Sequence, residues 1–288
     1  MLLPVDDHVV HRGDGVFETC KTHAGAVYAL APHLIRLRGS AARIGLEMPW
    51  SDDALTDILA QTLAAAGRPE ALARIIVSRG IGGMGVSPYE CSAPELYIMI
   101  YALPPPFMEI HPGGARAVRS RQPLKPGFLA NIKTCNYLPN ALLKKEALDR
   151  GADFAVALDE KDELAEGATE NFAVVTRDGR LRFPPPDRIL VGITQARVAE
   201  LAGALVASGA LRAVETVPIP SAALDEAAEL LLLGTTTDVT AVTELDGRPV
   251  GDGRPGPVQR ELYSRLRRDL LENTAWRTPY PLPDPSAD

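Results

Sequence analysis

The chain has 288 residues, of which 46% are hydrophobic, and this length exceeds the usual size of a single domain. Its formal net charge is −7, and no run of lysine or arginine forms a basic stripe, so nucleic acid is not an expected partner. Three cysteines without paired spacing, Cys20, Cys91 and Cys135, argue against a disulfide framework and favour a reducing compartment. Without a leader-like segment or an apolar run of about 18 residues, we expect a cytoplasmic protein that does not enter the membrane.

Strand-like and helix-like patterns alternate over the first hundred residues. Hydrophobic spacing predicts strands at 26–30, 73–78 and 96–102 and helices at 33–44 and 54–66. The proline run that begins after Leu103 can continue neither a sheet nor a helix. The sequence therefore predicts an N-terminal α/β lobe at 1–106 and a linker at 107–114.

The remainder of the chain predicts a second α/β lobe at 115–275. Its expected strands are 115–120, 154–158, 172–175 and 229–233, and its expected helices are 139–150, 194–206 and 257–271. The tail at 276–288 is rich in proline and poor in core-forming residues, which predicts disorder. The fold class is a mixed α/β (α+β) fold in two lobes.

Lys133 follows an almost uncharged apolar segment and precedes a predicted helix, so its burial is plausible. Burial disfavours the charged ammonium and would favour a free amine, which is the nucleophilic form. The alternative is a lysine whose stem packs while its ammonium reaches water.

Two turns are suited to binding an anion. The turn at 191–194 opens a helix, so Thr194 is either an anion ligand beside the helix amides or an ordinary N-cap. The turn at 234–238 ends the most hydrophobic predicted strand, and Glu166 adds a carboxylate beside a glycine. With Lys133, these features match what a pyridoxal phosphate site requires: an amine, an acid for the ring nitrogen and a phosphate cradle.

Three other patterns do not support a site. The glycine spacing at 80–85 resembles a dinucleotide fingerprint, but no helix is predicted to follow it. His8 and His11 lack a second pair of ligands, so we expect no metal. Cys135 has no identifiable base, and we expect it to pack as a small residue.

The chain resembles the class IV aminotransferases, the fold-type-IV pyridoxal phosphate enzymes that include D-amino-acid aminotransferases, branched-chain aminotransferases and aminodeoxychorismate lyase. The resemblance covers roughly residues 6–250 and rests on motifs in the family's order. These motifs are His11-Arg-Gly-Asp-Gly-Val-Phe-Glu-Thr19, His33-Leu-Ile-Arg-Leu37, Lys133 with Asn136-Tyr137, Glu166-Gly-Ala-Thr-Glu-Asn171, Gly192-Ile-Thr194 and Gly234-Thr235.

The resemblance implies a role for each matching residue. Lys133 would be the catalytic Schiff-base lysine, Glu166 the partner of the pyridine nitrogen and Tyr137 the partner of the ring hydroxyl. The phosphate ligands would be Arg36, Ile193, Thr194 and Thr235, and Thr236 would border the phosphate or the substrate carboxylate. A two-lobe fold with a barrel-like C-terminal lobe, an amino acid and a keto acid as substrates, and a homodimer closed by the partner's N-terminal lobe are also implied.

The subfamily signals conflict. The loop at 82–86 lacks the arginine and histidine of well-known D-amino-acid aminotransferases, and Leu72 replaces a tyrosine of the branched-chain enzymes. The Asp6-Asp-His-Val-Val-His-Arg-Gly13 motif together with Asn136-Tyr-Leu-Pro-Asn140 most resembles a group of D-amino-acid transaminases that lacks this pair, with Phe17, Arg12 and Arg74 as candidate substrate residues. A branched-chain L-amino-acid transaminase, aminodeoxychorismate lyase and a non-catalytic binding protein are the alternatives, in that order.

Overall fold

The computed structural model describes residues 3–122, 125 and 127–282. These residues form two compact units. The first unit takes the described residues of 1–103, 132–137 and 270–288, and the second unit takes those of 104–131 and 138–269. The short segment that carries Lys133 therefore belongs to the first unit, although the residues on both sides of it belong to the second.

The first unit is built around a five-stranded antiparallel sheet in the order β13-β2-β1-β3-β4. Its strands are β1 (Gly15–His23), β2 (Ala26–Tyr28), β3 (Ala71–Ser78), β4 (Glu95–Ala102) and β13 (Arg277–Pro279). Its helices are α1 (His8–Arg12), α2 (Leu30–Arg43) and α3 (Asp52–Ala66).

The helices of this unit follow ordinary sequence signals. Helix α3 buries Leu55, Leu59 and Leu63, which recur every four residues and so lie on one face. The Ser51 hydroxyl caps its first turn by accepting from the amide of Ala54, and Gly67 ends it in the left-handed conformation with φ of 62°. Because both ends are capped, the predicted helix 54–66 forms with only two residues added at its start.

The second unit contains an eight-stranded mixed sheet, ordered β6-β5-β11-β10-β7-β8-β9, with β12 paired to β11. The strands are β5 (Ala115–Arg119), β6 (Phe154–Val156), β7 (Asn171–Val175), β8 (Arg180–Phe183), β9 (Ala213–Thr216), β10 (Glu229–Gly234), β11 (Asp238–Leu245) and β12 (Arg248–Pro249). The helices are α4 (Phe107–Ile110), α5 (Gly127–Ala130), α6 (Leu138–Asp149), α7 (Ile193–Ala207), α8 (Ala222–Asp225) and α9 (Pro257–Glu272), which continues into the first unit.

Buried strands form the core of the second unit. Phe172, Leu230, Leu232 and Val242 are each at most 2% exposed and belong to one hydrophobic cluster. Strand β10 is buried along almost its whole length, which explains its continuous apolar sequence. Pairing of β10 with β7 and β11 brings the ends of these strands together, and the turns at those ends carry polar residues.

The mixed α/β fold class is confirmed, but the tail is a correction. Arg277–Pro279 pairs with β2, and Tyr280 is only 6% exposed, with its hydroxyl donating to the carbonyl of Arg68 at 2.7 Å. The composition of the tail predicts disorder, but the buried Tyr280 side chain and the pairing with β2 fix the start of this segment. Residues 283–288, the rest of the predicted tail, lie outside the described residues. None of the helices in the described part of the chain has the length and apolar character that a membrane span requires.

Candidate active site

The backbone of Lys133 is fixed to strand β1 and helix α2. Its carbonyl accepts from the amide of Phe17 at 2.9 Å, and its amide donates to the Ser40 hydroxyl at 3.2 Å. Thr134, the next residue, bridges to Val16 on β1. Lys133 lies outside the strands and helices, but these contacts tie its backbone to both elements.

The side chain of Lys133 is half-buried, which lies between the two readings that the sequence leaves open. Its Nζ lies 3.4 Å from the Tyr137 hydroxyl and 4.9 Å from the centre of the Phe17 ring. The two rings meet edge to face with centres 4.9 Å apart. Phe17, Lys133 and Tyr137, which we call the lysine cluster, keep the amine over aromatic surface while leaving it accessible.

A buried charge cluster lies beside the lysine cluster in the first unit. Glu18 on β1 is 0% exposed, and its carboxylate accepts from Arg36 Nε at 2.6 Å and Arg36 Nη2 at 2.7 Å. The Nδ1 atom of His33 lies 2.7 Å from the same carboxylate. Because His33, Arg36 and Ser40 recur every three or four residues of α2, one helix face supplies all three.

The opposite charges of Glu18 and Arg36 stabilise each other. Burial tends to raise the pKa of Glu18, but the Arg36 guanidinium and His33 outweigh it and lower that pKa to about 2. Burial tends to lower the pKa of Arg36, and Glu18 reverses the effect and raises it. For His33 burial dominates over the attraction of Glu18, and its pKa is lowered. Arg36 therefore stays a fixed cation, as a phosphate ligand must.

The two candidate arginines for a substrate carboxylate lie in different surroundings. The guanidinium carbon of Arg74 is 5.0 Å from the centre of the Phe17 ring, and its Nε donates to the Thr19 hydroxyl at 3.3 Å. Arg12 donates from Nη2 to the carbonyl of Met84 at 2.6 Å, in the loop at 82–86. Arg74 therefore contacts the lysine cluster, whereas Arg12 donates a hydrogen bond to the loop at 82–86.

In the second unit, Glu166 is 7% exposed, which is unusual for an acid placed in a loop. Its Oε2 accepts from the amide of Leu190 at 3.0 Å, and its Oε1 lies 4.0 Å from Lys125 Nζ. Its backbone carbonyl accepts from the amide of Ala157, and it forms a bridge with Asn171. The carboxylate is thus held in one position by strands and loops on several sides.

The turn at 191–194 opens helix α7, as predicted, but Thr194 is not its N-cap. Gly192 is the cap residue, and no side chain caps the helix. A Cβ at Gly192 would lie 2.1 Å from Asn171 Oδ1, so a larger residue there would displace the Asn171 side chain. The first amides of α7, including those of Ile193 and Thr194, have no acceptor within the helix and suit an anion.

The turn at 234–238 joins β10 to β11 through Thr235, Thr236 and Thr237, with Asp238 in the left-handed conformation at φ of 51°. Among the described atoms, the buried Thr237 hydroxyl has no hydrogen-bond partner. Asn171 pairs with Leu233 at the end of β10, so this turn and the start of α7 both border Asn171. The threonine turn and the first amides of α7 therefore lie near each other.

The structure collects the predicted residues into two sets, each within one unit. Lys133, Tyr137, Phe17, Arg36 and Arg74 belong to the first unit, and Glu166, Ile193, Thr194, Thr235 and Thr236 belong to the second. Residues that sequence reasoning missed are Glu18, His33, Lys125, Asn171 and Thr237. Glu18 and His33 lie inside quoted motifs, but nothing in the sequence shows that they pair. Within the described ranges, no group of three or more His, Cys, Asp or Glu side chains could hold a metal ion.

The family profile described as amino-transferase class IV matches residues 15–245 of the chain. The chain belongs to the class IV aminotransferases. This aminotransferase is 34% identical to the chloroplastic D-amino-acid transaminase of Arabidopsis thaliana over 94% of its own length and 72% of that protein's length.

Solved structures agree with this membership. The T.th. branched-chain amino acid aminotransferase with pyridoxamine 5′-phosphate superposes with a TM-score of 0.89 at 28% identity, covering 97% of this aminotransferase and 93% of that chain. The branched-chain aminotransferase of the archaeon Thermoproteus uzoniensis with norvaline gives a TM-score of 0.87 at 26% identity, covering 96% and 94%. The fold of this aminotransferase is therefore that of the solved branched-chain enzymes.

Proposed function

We propose that this aminotransferase moves an amino group between a D-amino acid and a 2-keto acid, with Lys133 as its catalytic residue. Class IV aminotransferases use pyridoxal 5′-phosphate. The observation that carries the assignment of Lys133 is its amine, which lies 3.4 Å from the Tyr137 hydroxyl and over the Phe17 ring. Its backbone is held by β1 and α2, so the amine is presented from a rigid frame.

The residues of this chain fit the cofactor chemically. Arg36, as a fixed cation, would bind the phosphate together with the amides of Ile193 and Thr194 and the hydroxyl of Thr235. The buried Thr237 hydroxyl without a partner among the described atoms and the glycine at 192 support an anion cradle. Thr236 would border the phosphate or the substrate carboxylate. Arg36→Ala should weaken cofactor retention, and equilibrium dialysis that finds unchanged affinity would contradict this role.

Each side chain then has a definite task. Bound pyridoxal phosphate supplies an electron sink for the substrate's α-carbon. Glu166 would hold the proton on the ring nitrogen, and Tyr137 would bind the ring hydroxyl. Lys133 Nζ would hold the cofactor and carry the proton taken from the α-carbon. Because Phe17 and Tyr137 contact this amine, they would restrict its movement.

Arg74 and Arg12 are the proposed partners of the substrate carboxylate. The Arg74 guanidinium carbon and Lys133 Nζ both lie over the Phe17 ring, 5.0 and 4.9 Å from its centre, which supports Arg74 as a partner for a substrate held at Lys133. Arg12 lies with the exposed loop at 82–86. We propose a homodimer in which this part of one protomer completes the pocket of its partner, and a cytoplasmic location.

Substrate kinetics of single variants separate the two arginines. Loss of a charge-assisted hydrogen bond costs about 1.5–3 kcal/mol, so the correct arginine-to-glutamine variant should raise KM by about 10- to 100-fold. Arg68→Gln, an exposed position in the same unit, is the matched control. If neither Arg74→Gln nor Arg12→Gln changes KM beyond this control, both assignments are wrong.

The choice of a D-amino acid rests on the 34% identical Arabidopsis thaliana relative and on the N-terminal motif that contains Arg12. A branched-chain L-amino-acid transaminase is the second candidate, supported by the solved branched-chain aminotransferases. The lyase and a non-catalytic binding protein follow as further alternatives.

A half-reaction decides among these candidates. The holoenzyme is mixed separately with D-alanine, D-glutamate, L-leucine and L-valine, and loss of its visible absorbance is followed, with Lys133→Ala as the control. Bleaching by the D-amino acids alone supports the proposal, whereas bleaching by L-leucine and L-valine assigns the branched-chain activity. Bleaching by none of them refutes both readings and favours the lyase, and a protein that stays colourless with added cofactor would be a binding protein.

A further inference from the structure

Lys125 is a buried cation that the proposed reaction does not use. Its side chain is 5% exposed, and its Nζ lies 4.0 Å from Oε1 of Glu166, whose own side chain is 9% exposed. Burying an ammonium is costly unless a negative charge lies nearby. Burial lowers the pKa of Lys125, and Glu166 acts in the opposite direction. The two side chains therefore form a buried pair of opposite charges.

The separation of Lys125 and Glu166 is that of an ion pair without a direct hydrogen bond. A separation of 4.0 Å is too long for a hydrogen bond, whereas the amide of Leu190 donates to the other carboxylate oxygen at 3.0 Å. The cavity that Lys125 and Glu166 share with Asn140 has a volume of about 10 Å³, which leaves room for one water molecule at most. Because the two side chains are only 5% and 9% exposed, little solvent screens their attraction.

Other described charges around Glu166 are engaged elsewhere. Glu170, in the same turn, accepts from the amide and hydroxyl of Thr169. Arg188, two residues before Leu190, pairs with Glu160. On α6, which also lines the cavity, Lys144 donates to the carbonyl of Asp153, and Glu146 accepts from Ser120 and Arg121. Lys125, by contrast, forms an ion pair with this carboxylate.

We propose that Lys125 is a positioning residue that keeps Glu166 ionised in the apoprotein and so extends cofactor capture to lower pH. The inference rests on the proposed role of Glu166 as the partner of the ring nitrogen. Only an ionised carboxylate can hold a protonated ring nitrogen, and an adjacent ammonium favours ionisation of a buried acid. Without Lys125, the carboxylate takes up a proton at a higher pH and cofactor binding declines there.

The test measures the dissociation constant of pyridoxal 5′-phosphate for the apoprotein across pH 5.5–8.5. Lys125→Met should bind as the wild type does at the alkaline end and at least about tenfold more weakly at the acidic end, since a unit charge about 4 Å away in a poorly solvated site is worth more than one pKa unit. Lys125→Arg, which keeps the charge, should retain the wild-type profile. Lys161→Met, at an exposed position of the same unit, is the control for losing a lysine.

A Glu166→Gln background separates the inference from the function on which it rests. If Glu166→Gln leaves affinity unchanged, the assignment of Glu166 is wrong, and the inference falls with it. If Glu166→Gln weakens binding but Lys125→Met follows the wild-type profile, only the inference is overturned. If both weaken binding, adding Lys125→Met to Glu166→Gln should cause no further pH shift, and an undiminished shift would refute action through Glu166. Should Lys125→Met not fold, Lys125→Gln provides the same comparison.

Discussion

Glu18→Gln removes one charge from the interior of the first unit and leaves the shape of the side chain almost unchanged. The carboxylate is 0% exposed and binds both Arg36 and His33. Its pKa falls from 4.5 to about 2 on folding, and each pKa unit corresponds to about 1.4 kcal/mol, so the charge contributes about 3 kcal/mol at neutral pH. The free energy of unfolding of the variant should be lower by about this amount, because the buried Arg36 guanidinium loses its anionic partner.

The pH dependence of this loss has a definite sign. The folded-state pKa lies below the unfolded value, so the stabilisation is complete above about pH 4.5 and disappears as the pH falls towards about 2. The difference in unfolding free energy between the wild type and Glu18→Gln should therefore be constant from pH 5 to 7 and become smaller below pH 5. Protonation of Glu18 in the wild type makes the two proteins alike.

Urea unfolding followed by tryptophan fluorescence suits this measurement, because Trp50 and Trp276 both belong to the first unit. Glu47→Gln, an exposed position in the same unit, is the control and should change the unfolding free energy by less than about 0.5 kcal/mol. A loss below about 1 kcal/mol for Glu18→Gln at pH 7 would refute the argument. The argument would also be refuted if the difference in unfolding free energy between the wild type and Glu18→Gln grew as the pH was lowered.

Two further predictions concern single groups. Gly192→Ala should weaken pyridoxal 5′-phosphate binding in a spectroscopic titration, because its Cβ would lie 2.1 Å from Asn171 Oδ1. The control is Gly203→Ala in helix α7, whose Cβ would meet no atom within 4 Å. This control should leave binding unchanged and raise the free energy of unfolding by about 0.5–1 kcal/mol. An equal effect of both substitutions on binding would contradict the cradle. Tyr280→Phe removes a hydroxyl that lies 3.2 Å from the Thr22 hydroxyl and should cost about 1 kcal/mol in urea unfolding, and an unchanged midpoint would show that this hydroxyl contributes nothing to the first unit.

Elements with regular hydrophobic spacing could be predicted from the sequence. Helix α3 and strand β10 appear within two residues of their expected positions, because one has a clean apolar stripe and the other an unbroken apolar run. Strand β1 could not be predicted in this way. Seven of its nine residues are buried, including Glu18, Lys21 and Thr22, so no alternation of polar and apolar residues marks it.

For the site, too, short motifs identify single residues, whereas contacts between residues distant in the sequence could not be predicted. Motif matching proposes Lys133, Arg36 and Glu166 but gives no account of what holds them. The contacts of Arg36 with Glu18 and of Glu166 with Lys125 join residues far apart in the chain, and only the folded structure reveals them. The sequence allows Thr194 as the helix cap, but the cap residue is Gly192, which packs closely against the Asn171 side chain.

Strand β13 comes from the end of the chain and pairs with β2 from its start. A ribosome that has made β1, β2 and β3 has therefore made a sheet with an open edge at β2, and that edge stays unprotected while the whole second unit is synthesised. Unpaired edges recruit strands from other chains. Nascent or C-terminally truncated chains should for this reason depend on chaperones far more than the finished protein does.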